Sequence, residues 1–215
     1  MDRYATKQIL KAIILFVLAF SVISLVPSQI ITMERYVLNI LFLSIIAIGV
    51  MAYFRKNFIK IAERTEKYEF ILVIISIVIH AAIAYFILNF LPQPTWPFDS
   101  TGASPLLMNK FFVWAKPIEV FIQQLLIILL VQKLYEYKMT LKKITALFVF
   151  GFGAVHIIQI FKTDIIVGLS FTLIAIILSF IFPNMILKVR NGYIYNYMIH
   201  LGIYDFAALS AWTLF

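Results

Sequence analysis

The segment FILVIISIVIHAAIAYFILNFL, residues 70–91, decides the fold class of this chain. It contains no Asp, Glu, Lys or Arg, and it exceeds the about 20 apolar residues that one bilayer crossing requires. Because no water satisfies backbone N–H and C=O groups inside lipid, such a segment must form its own hydrogen bonds as a helix. The segment therefore predicts a transmembrane helix.

Six further apolar stretches flank this segment on both sides. They cover about residues 8–26, 36–54, 111–133, 143–161, 165–187 and 193–214. Of the 215 residues, 63% are hydrophobic and only 13% are charged, against about 25% charged in a soluble domain. We predict an all-α polytopic membrane protein, a bundle of about seven helices that forms one domain over 1–215. The run 8–26 lacks a small-x-small cleavage site and is expected to be a retained helix. Cysteine is absent, which excludes disulfides and thiolate chemistry.

The distribution of Lys and Arg predicts the orientation of the bundle. Fourteen of the 18 basic residues lie near the N-terminus or at the second, fourth and sixth loops, and four lie on the opposite side: Arg35, Lys110, Lys116 and Lys162. By the positive-inside rule the N-terminus is cytoplasmic. The net charge of +8 is explained by this topology and by anionic headgroups, so the lipid bilayer is the expected partner and nucleic acid is not.

Two loops and one proline predict further local features of the structure. The loop 55–69 holds Glu63, Glu66 and Glu69 at three-residue spacing among basic residues, which predicts a cytoplasmic helical extension. The proline-rich loop 91–105, with Trp96 and Phe98, indicates an interfacial anchor or a lid over a site. In the sixth stretch, Pro183 is expected to kink or end the helix.

A cluster of polar residues interrupts the fourth stretch. Glu119 and Gln123 lie four residues apart and share a helix face, with Gln124 beside them. An ionised Glu at the centre of a transmembrane helix costs about 2.5 to 3.5 kcal/mol on insertion scales, so this face must meet a polar cavity or a protein partner. The alternative for the two glutamines is interhelical hydrogen bonding that stabilises the bundle.

Histidines on two later helices extend this polar set. Phe152 lies one turn before His156, and His200 lies one turn before Tyr204. One histidine alone is more often a hydrogen-bonded packing residue, and His80 is assigned such a role. Two histidines together with a glutamate on a third helix indicate a joint site.

The order of these residues resembles the CAAX-protease and bacteriocin-processing (CPBP or Abi) family of intramembrane glutamic-type proteases, over about residues 110–210. That family carries Glu-Glu-x-x-x-Arg, then Phe-x-x-x-His, then a small turn followed by His-x-x-x-Asn. The second motif stands here as Phe152-Gly-Ala-Val-His156, and the turn-then-histidine pattern as 191–200. In the first motif the paired glutamates are replaced by Gln123 and Gln124 and the arginine by Ile128, while Tyr204 replaces the final Asn.

The resemblance implies an intramembrane endopeptidase that needs no cofactor and lies in the plasma membrane of a prokaryote. Its substrate would be a membrane protein or peptide. The implied catalytic residues are Glu119, His156 and His200, and the implied oxyanion or substrate-binding residues are Gln123, Gln124, Tyr204 and Phe152. A glutamine amide cannot accept a proton near neutral pH, so Glu119 would supply the carboxylate from one turn earlier.

Two alternatives stay open at the level of sequence. In the first, the chain is a catalytically inactive relative that binds a membrane partner or a peptide segment, with Gln123 and Gln124 as hydrogen-bonding groups. In the second, His156 and His200 ligate haem iron or a divalent ion, with Glu119 as a third ligand.

Overall fold

The computed structural model describes residues 6–7, 10–11, 14, 33–62, 65–92, 112–162 and 165–214, and these contain helices and no strand. The helices are α1 Met33–Tyr53, α2 Arg55–Ala62, α3 Lys67–Phe90, α4 Phe112–Glu136, α5 Leu141–Lys162, α6 Ile165–Lys188 and α7 Gly192–Leu214. The prediction of an all-α protein is confirmed for this part of the chain. Most of the predicted span 8–26 and the loop with Trp96 and Phe98 lie outside the described residues.

Three of these helices are long and apolar enough to cross a membrane. They are Lys67–Phe90, Val113–Glu136 and Gly168–Lys188, and Ser44–Tyr53 is a shorter apolar helix. Large apolar side chains of α3 such as Ile74, Val78 and Phe90 are exposed, as expected of a helix that faces lipid. The chain is therefore an α-helical protein with the features of a membrane protein.

Two local predictions need correction. The helical extension predicted in the loop 55–69 ends at Ala62, and Glu66 and Glu69 instead form the capping box that begins α3. The backbone N–H of Glu66 donates to Glu69 Oε2 at 2.7 Å, which satisfies a donor that the helix start leaves unpaired. Of the two predictions for Pro183, an end of the helix is wrong, because α6 continues through it to Lys188, and a kink stays a prediction.

The packing of the chain divides into two compact units. The α5–α6 unit contains α4 from Leu126, then α5, α6 and the first residues of α7 up to Asn196. The α3–α4–α7 unit contains α1 to α3, α4 up to Leu125, and α7 from Tyr197. The single domain over 1–215, with a protease-like core at about 110–210, stays a prediction.

Close helix packing defines the α5–α6 unit. A Cβ added at Gly153 would lie 3.1 Å from Ile176 Cγ1, so a small residue is needed where these two helices meet. The buried hydroxyl of Ser179 donates to Ala175 O of its own helix at 2.7 Å and shares that proton with Phe148 O of the facing helix at 3.2 Å. A tight turn then leads into α7, where Asn191 adopts a φ of 54° in the left-handed region.

An apolar cluster holds the α3–α4–α7 unit together. Val120, Tyr197 and Leu201 are buried in it, and Val73 and Ile77 of α3 pack against them. The Tyr197 hydroxyl makes a long hydrogen bond of 3.4 Å to Pro117 O. This cluster places the middle of α7 beside the first half of α4, and that contact positions the polar groups described next.

The turn before α7 generates a stability prediction. A Cβ at Gly192 would overlap the main-chain carbonyl group of Met185, which cannot move as a flexible side chain can. We expect Gly192→Ala to lower the free energy of unfolding by about 1 to 3 kcal/mol, the usual cost of overpacking. The control is Gly202→Ala, because no atom lies within 4 Å of a Cβ at that position. Unfolding in detergent micelles should show loss of stability in the first variant and none in the second.

Candidate functional site

Glu119 is held on its own helix at both carboxylate oxygens. Lys116 Nζ donates to Glu119 Oε2 at 2.8 Å, and Gln123 Nε2 donates to Oε1 at 3.1 Å. The Lys116 side chain is 10% exposed and the Glu119 side chain 18% exposed. The charge of the glutamate is therefore compensated locally, which offsets part of the cost of placing it in an apolar helix.

Aromatic contacts connect this ion pair to α7. Lys116 Nζ lies 4.2 Å from the centre of the Tyr204 ring, a cation–π arrangement. The Tyr204 ring in turn stacks on the imidazole of His200, with centroids 5.4 Å apart and an angle of 26° between the planes. The count of basic residues places Lys116 on the side of the membrane opposite the N-terminus, whereas in the structure its side chain is buried beside Tyr204.

Gln124 and His200 form a side-chain hydrogen bond between α4 and α7. Gln124 Nε2 lies 2.9 Å from His200 Nδ1, and both side chains are buried. In this amide orientation Nε2 donates and Nδ1 accepts, which places the proton of a neutral imidazole on Nε2. The other amide atom, Gln124 Oε1, is buried and has no hydrogen-bond partner among the described residues. An unsatisfied buried acceptor costs about 1 to 3 kcal/mol, so this atom is suited to receive a donor.

A second buried ionisable pair joins α3 to α7. His80 Nδ1 lies 2.5 Å from Asp205 Oδ1, and neither residue is more than 4% exposed. The sequence assigns His80 a packing role because it stands alone in an otherwise apolar helix. The signal that could have found the pair is that ionisable residues inside membrane helices pair with one another.

His156 has its partners within the α5–α6 unit. Its Nδ1 lies 2.8 Å from the carbonyl oxygen of Phe152, to which it donates, and the two rings are 4.7 Å apart. Phe152 and His156 thus lie on one face, as their spacing predicts. The Thr172 hydroxyl donates to Gly168 O of its own helix at 2.8 Å and shares that proton with the main-chain carbonyl of His156 at 3.1 Å, which places this turn of α5 against α6.

The predicted site residues therefore fall into three groups. The structure brings Glu119 together with Gln123, Gln124 together with His200 and Tyr204, and Phe152 together with His156. Among the residues that the structure describes, no three His, Asp or Glu side chains come together as a possible metal-ligand set. The alternative in which His156 and His200 ligate haem iron or a divalent ion, with Glu119 as a third ligand, stays a prediction.

No family model, curated protein or solved structure matches the chain. The resemblance to the CPBP family thus depends on the spacing of the quoted residues alone.

The ion pair on α4 predicts that removing one of its two charges lowers stability more than removing both. Replacing Lys116 by Met leaves the Glu119 carboxylate without its cation, and we expect a loss of about 1.5 to 3 kcal/mol in unfolding free energy, the usual value of a hydrogen bond to a charged group. The double variant Lys116→Met with Glu119→Gln removes both charges and should recover most of that loss. Chemical unfolding in micelles measures both. Equal losses in the single and double variants would contradict a compensated pair.

The His80–Asp205 contact predicts energetic coupling between α3 and α7. A double-mutant cycle with His80→Ala and Asp205→Ala should give an interaction energy of about 1 to 3 kcal/mol, because the two residues are in direct contact. The control cycle combines His80→Ala with Thr213→Ala, whose hydroxyl donates to carbonyls of its own helix. Additive free energies in the first cycle would show that the contact does not stabilise the fold.

Proposed function

We propose that this chain is a multi-pass membrane protein of about seven spans with a cytoplasmic N-terminus, in the plasma membrane of a prokaryote. The asymmetry of fourteen basic residues against four supports the orientation. Three described helices of sufficient length and apolar character support the membrane location. The resemblance to the CPBP family supports the cellular assignment.

Within that bundle, the function that the geometry supports best is binding without cleavage. The polar cluster of Lys116, Glu119, Gln123, Gln124 and His200 would hold a segment of a membrane protein or a peptide. The observation that carries this proposal is that two amides, Gln123 and Gln124, lie beside Glu119 and His200 and each donates a hydrogen bond to that neighbour. Each oxygen of Glu119 keeps a further lone pair, so the choice of binding over cleavage depends on the two glutamines.

The glutamines favour recognition over proton transfer. An amide has no basic pKa near neutrality, and Gln124 directs its N–H to the Nδ1 lone pair that His200 would otherwise use as a base. What Gln124 leaves available is Oε1, which is an acceptor. The complementary ligand is therefore a hydrogen-bond donor.

The nature of that donor follows from the surroundings. Inside a membrane, a helical segment already uses its backbone N–H groups, so it can offer only a side-chain donor such as that of Asn, Gln, Ser or Thr. An unwound segment can offer a backbone N–H directly. We propose that the cluster selects partner segments with one polar residue or one break at the depth of Gln124.

Endopeptidase activity of the CPBP type is the second candidate. One observation favours it: the Glu119 side chain keeps 18% exposure, so water can reach a carboxylate that lies beside a cation. In this candidate Glu119 and His156 activate water, and His200 and Tyr204 stabilise the oxyanion that forms on the peptide carbonyl. The two candidates differ in what happens to a bound segment.

A photocrosslinking experiment separates the two candidates. A benzophenone amino acid replaces Phe121, which is exposed next to the Tyr197 ring at 6.3 Å. We expect a crosslink to an intact partner segment, strongly reduced by Gln124→Leu because the acceptor is lost, and unchanged by Glu119→Gln. Mass spectrometry of the adduct identifies the segment and its length. The matched control places the same photoprobe at Tyr85, on the lipid-exposed surface of α3.

Three outcomes decide between the candidates. Fragments in the unmodified protein that become intact segments in Glu119→Gln would establish cleavage and overturn the binding proposal. Equal adducts from positions 121 and 85 would show diffuse contact with membrane proteins and overturn it as well. An intact adduct that requires Gln124 supports binding.

A further inference from the structure

A groove runs between α5 and α6 in the α5–α6 unit, apart from the polar cluster that carries the proposed function. It has a volume of about 490 Å³ and is lined mainly by apolar atoms. Ala146 and Val149 line it from α5, and the exposed rings of Phe150 and Phe180 stand along it, one from each helix. Its volume is within the range of about 300 to 1,000 Å³ that is typical of ligand pockets.

Two lysines stand at one end of this groove. Lys142 lies in the first turn of α5 and Lys188 is the last residue of α6, and both line the groove. Neither forms an ion pair with a carboxylate of the described residues. Thr145 and Asn184 lie one turn deeper and add polar groups below the two charges. The groove is thus cationic at its mouth and apolar along its length.

The dimensions match one leaflet of a bilayer. From Lys142 to Phe150 the helix rises about 12 Å at 1.5 Å per residue. One leaflet contributes half of the about 30 Å hydrocarbon core, which is about 15 Å. The apolar part of the groove is therefore long enough to contact most of the length of an acyl chain in one leaflet. Lys142 and Lys188 belong to the fourth and sixth loops, on the predicted cytoplasmic side that carries most basic residues. The cytoplasmic leaflet is also the one enriched in anionic lipids.

We propose that this groove is a binding site for an anionic phospholipid. The phosphate lies between Lys142 and Lys188, Thr145 donates a hydrogen bond to a headgroup or ester oxygen, and an acyl chain follows Ala146 and Phe180. The cations and the apolar wall must act together: two charges alone attract any anion, and an apolar groove alone accepts any lipid. This combination selects phosphatidylglycerol over phosphatidylcholine, which has no net charge.

The test uses the full chain in nanodiscs of phosphatidylcholine that contain phosphatidylglycerol, followed by native mass spectrometry of the released protein with its retained lipid. We expect the unmodified protein to retain phosphatidylglycerol selectively. Lys142→Gln and Lys188→Gln should each lower that selectivity about fivefold, since one basic residue near the surface contributes about that factor. The matched control is Lys143→Gln, at an exposed neighbouring lysine that does not line the groove.

A second variant tests the acyl-chain position without a change of charge. Ala146→Phe fills the groove and should reduce retention of phosphatidylglycerol, whereas Leu147→Phe on the adjacent exposed position should not. Equal effects of Lys143→Gln and Lys142→Gln would mean attraction to surface charge only and would overturn the proposal. Unchanged retention in Ala146→Phe would overturn it too, because the groove would then hold no chain. Neither result tests the binding function proposed for the polar cluster of Lys116, Glu119, Gln123, Gln124 and His200.

Discussion

Ionisable groups inside an apolar helical protein need a partner of opposite charge or a hydrogen bond, and this requirement determines how α3, α4 and α7 meet. Lys116 compensates Glu119 along one helix, and Asp205 pairs with His80 between two helices. Removing one member of such a pair leaves a charge whose desolvation is not offset. The polar contacts therefore fix which faces of the helices meet, while apolar groups such as Val120 and Leu201 fill the space between them.

The same requirement bears on the proposal that the polar cluster binds a segment without cleaving it. Glu119 accepts one hydrogen bond at each carboxylate oxygen, from Lys116 and from Gln123, and each oxygen keeps a further lone pair. The amides of the two glutamines can form hydrogen bonds but cannot accept a proton near neutral pH. Gln124 Oε1 is a buried acceptor without a hydrogen-bond partner among the described residues. In the proposed function, that acceptor receives a hydrogen bond from a donor of a bound segment.

Hydroxyl and glycine contacts lie between α5 and α6, and among the described residues no ion pair joins these two helices. The hydroxyls of Thr172 and Ser179 each share their proton between a main-chain carbonyl of their own helix and a longer contact to one of the facing helix, and Gly153 permits close approach. Because small groups form this interface, Lys142 and Lys188 take no part in it and lie at the surface. The rings of Phe150 and Phe180 are exposed. This division of roles creates a groove that is apolar along its length and cationic at one end.

The sequence by itself determined the helical class and, within a few residues, where the described helices begin and end, because apolar periodicity and length depend on local chemistry. It also identified Glu119, Gln124 and His200 as polar residues that require partners. Only the tertiary structure decided which partners they have. The contacts of Gln124 with His200 and of His80 with Asp205 join residues 76 and 125 positions apart, and no local pattern encodes such a distance. Helix boundaries follow from neighbours in sequence, whereas a buried polar pair follows from the register of two packed helices.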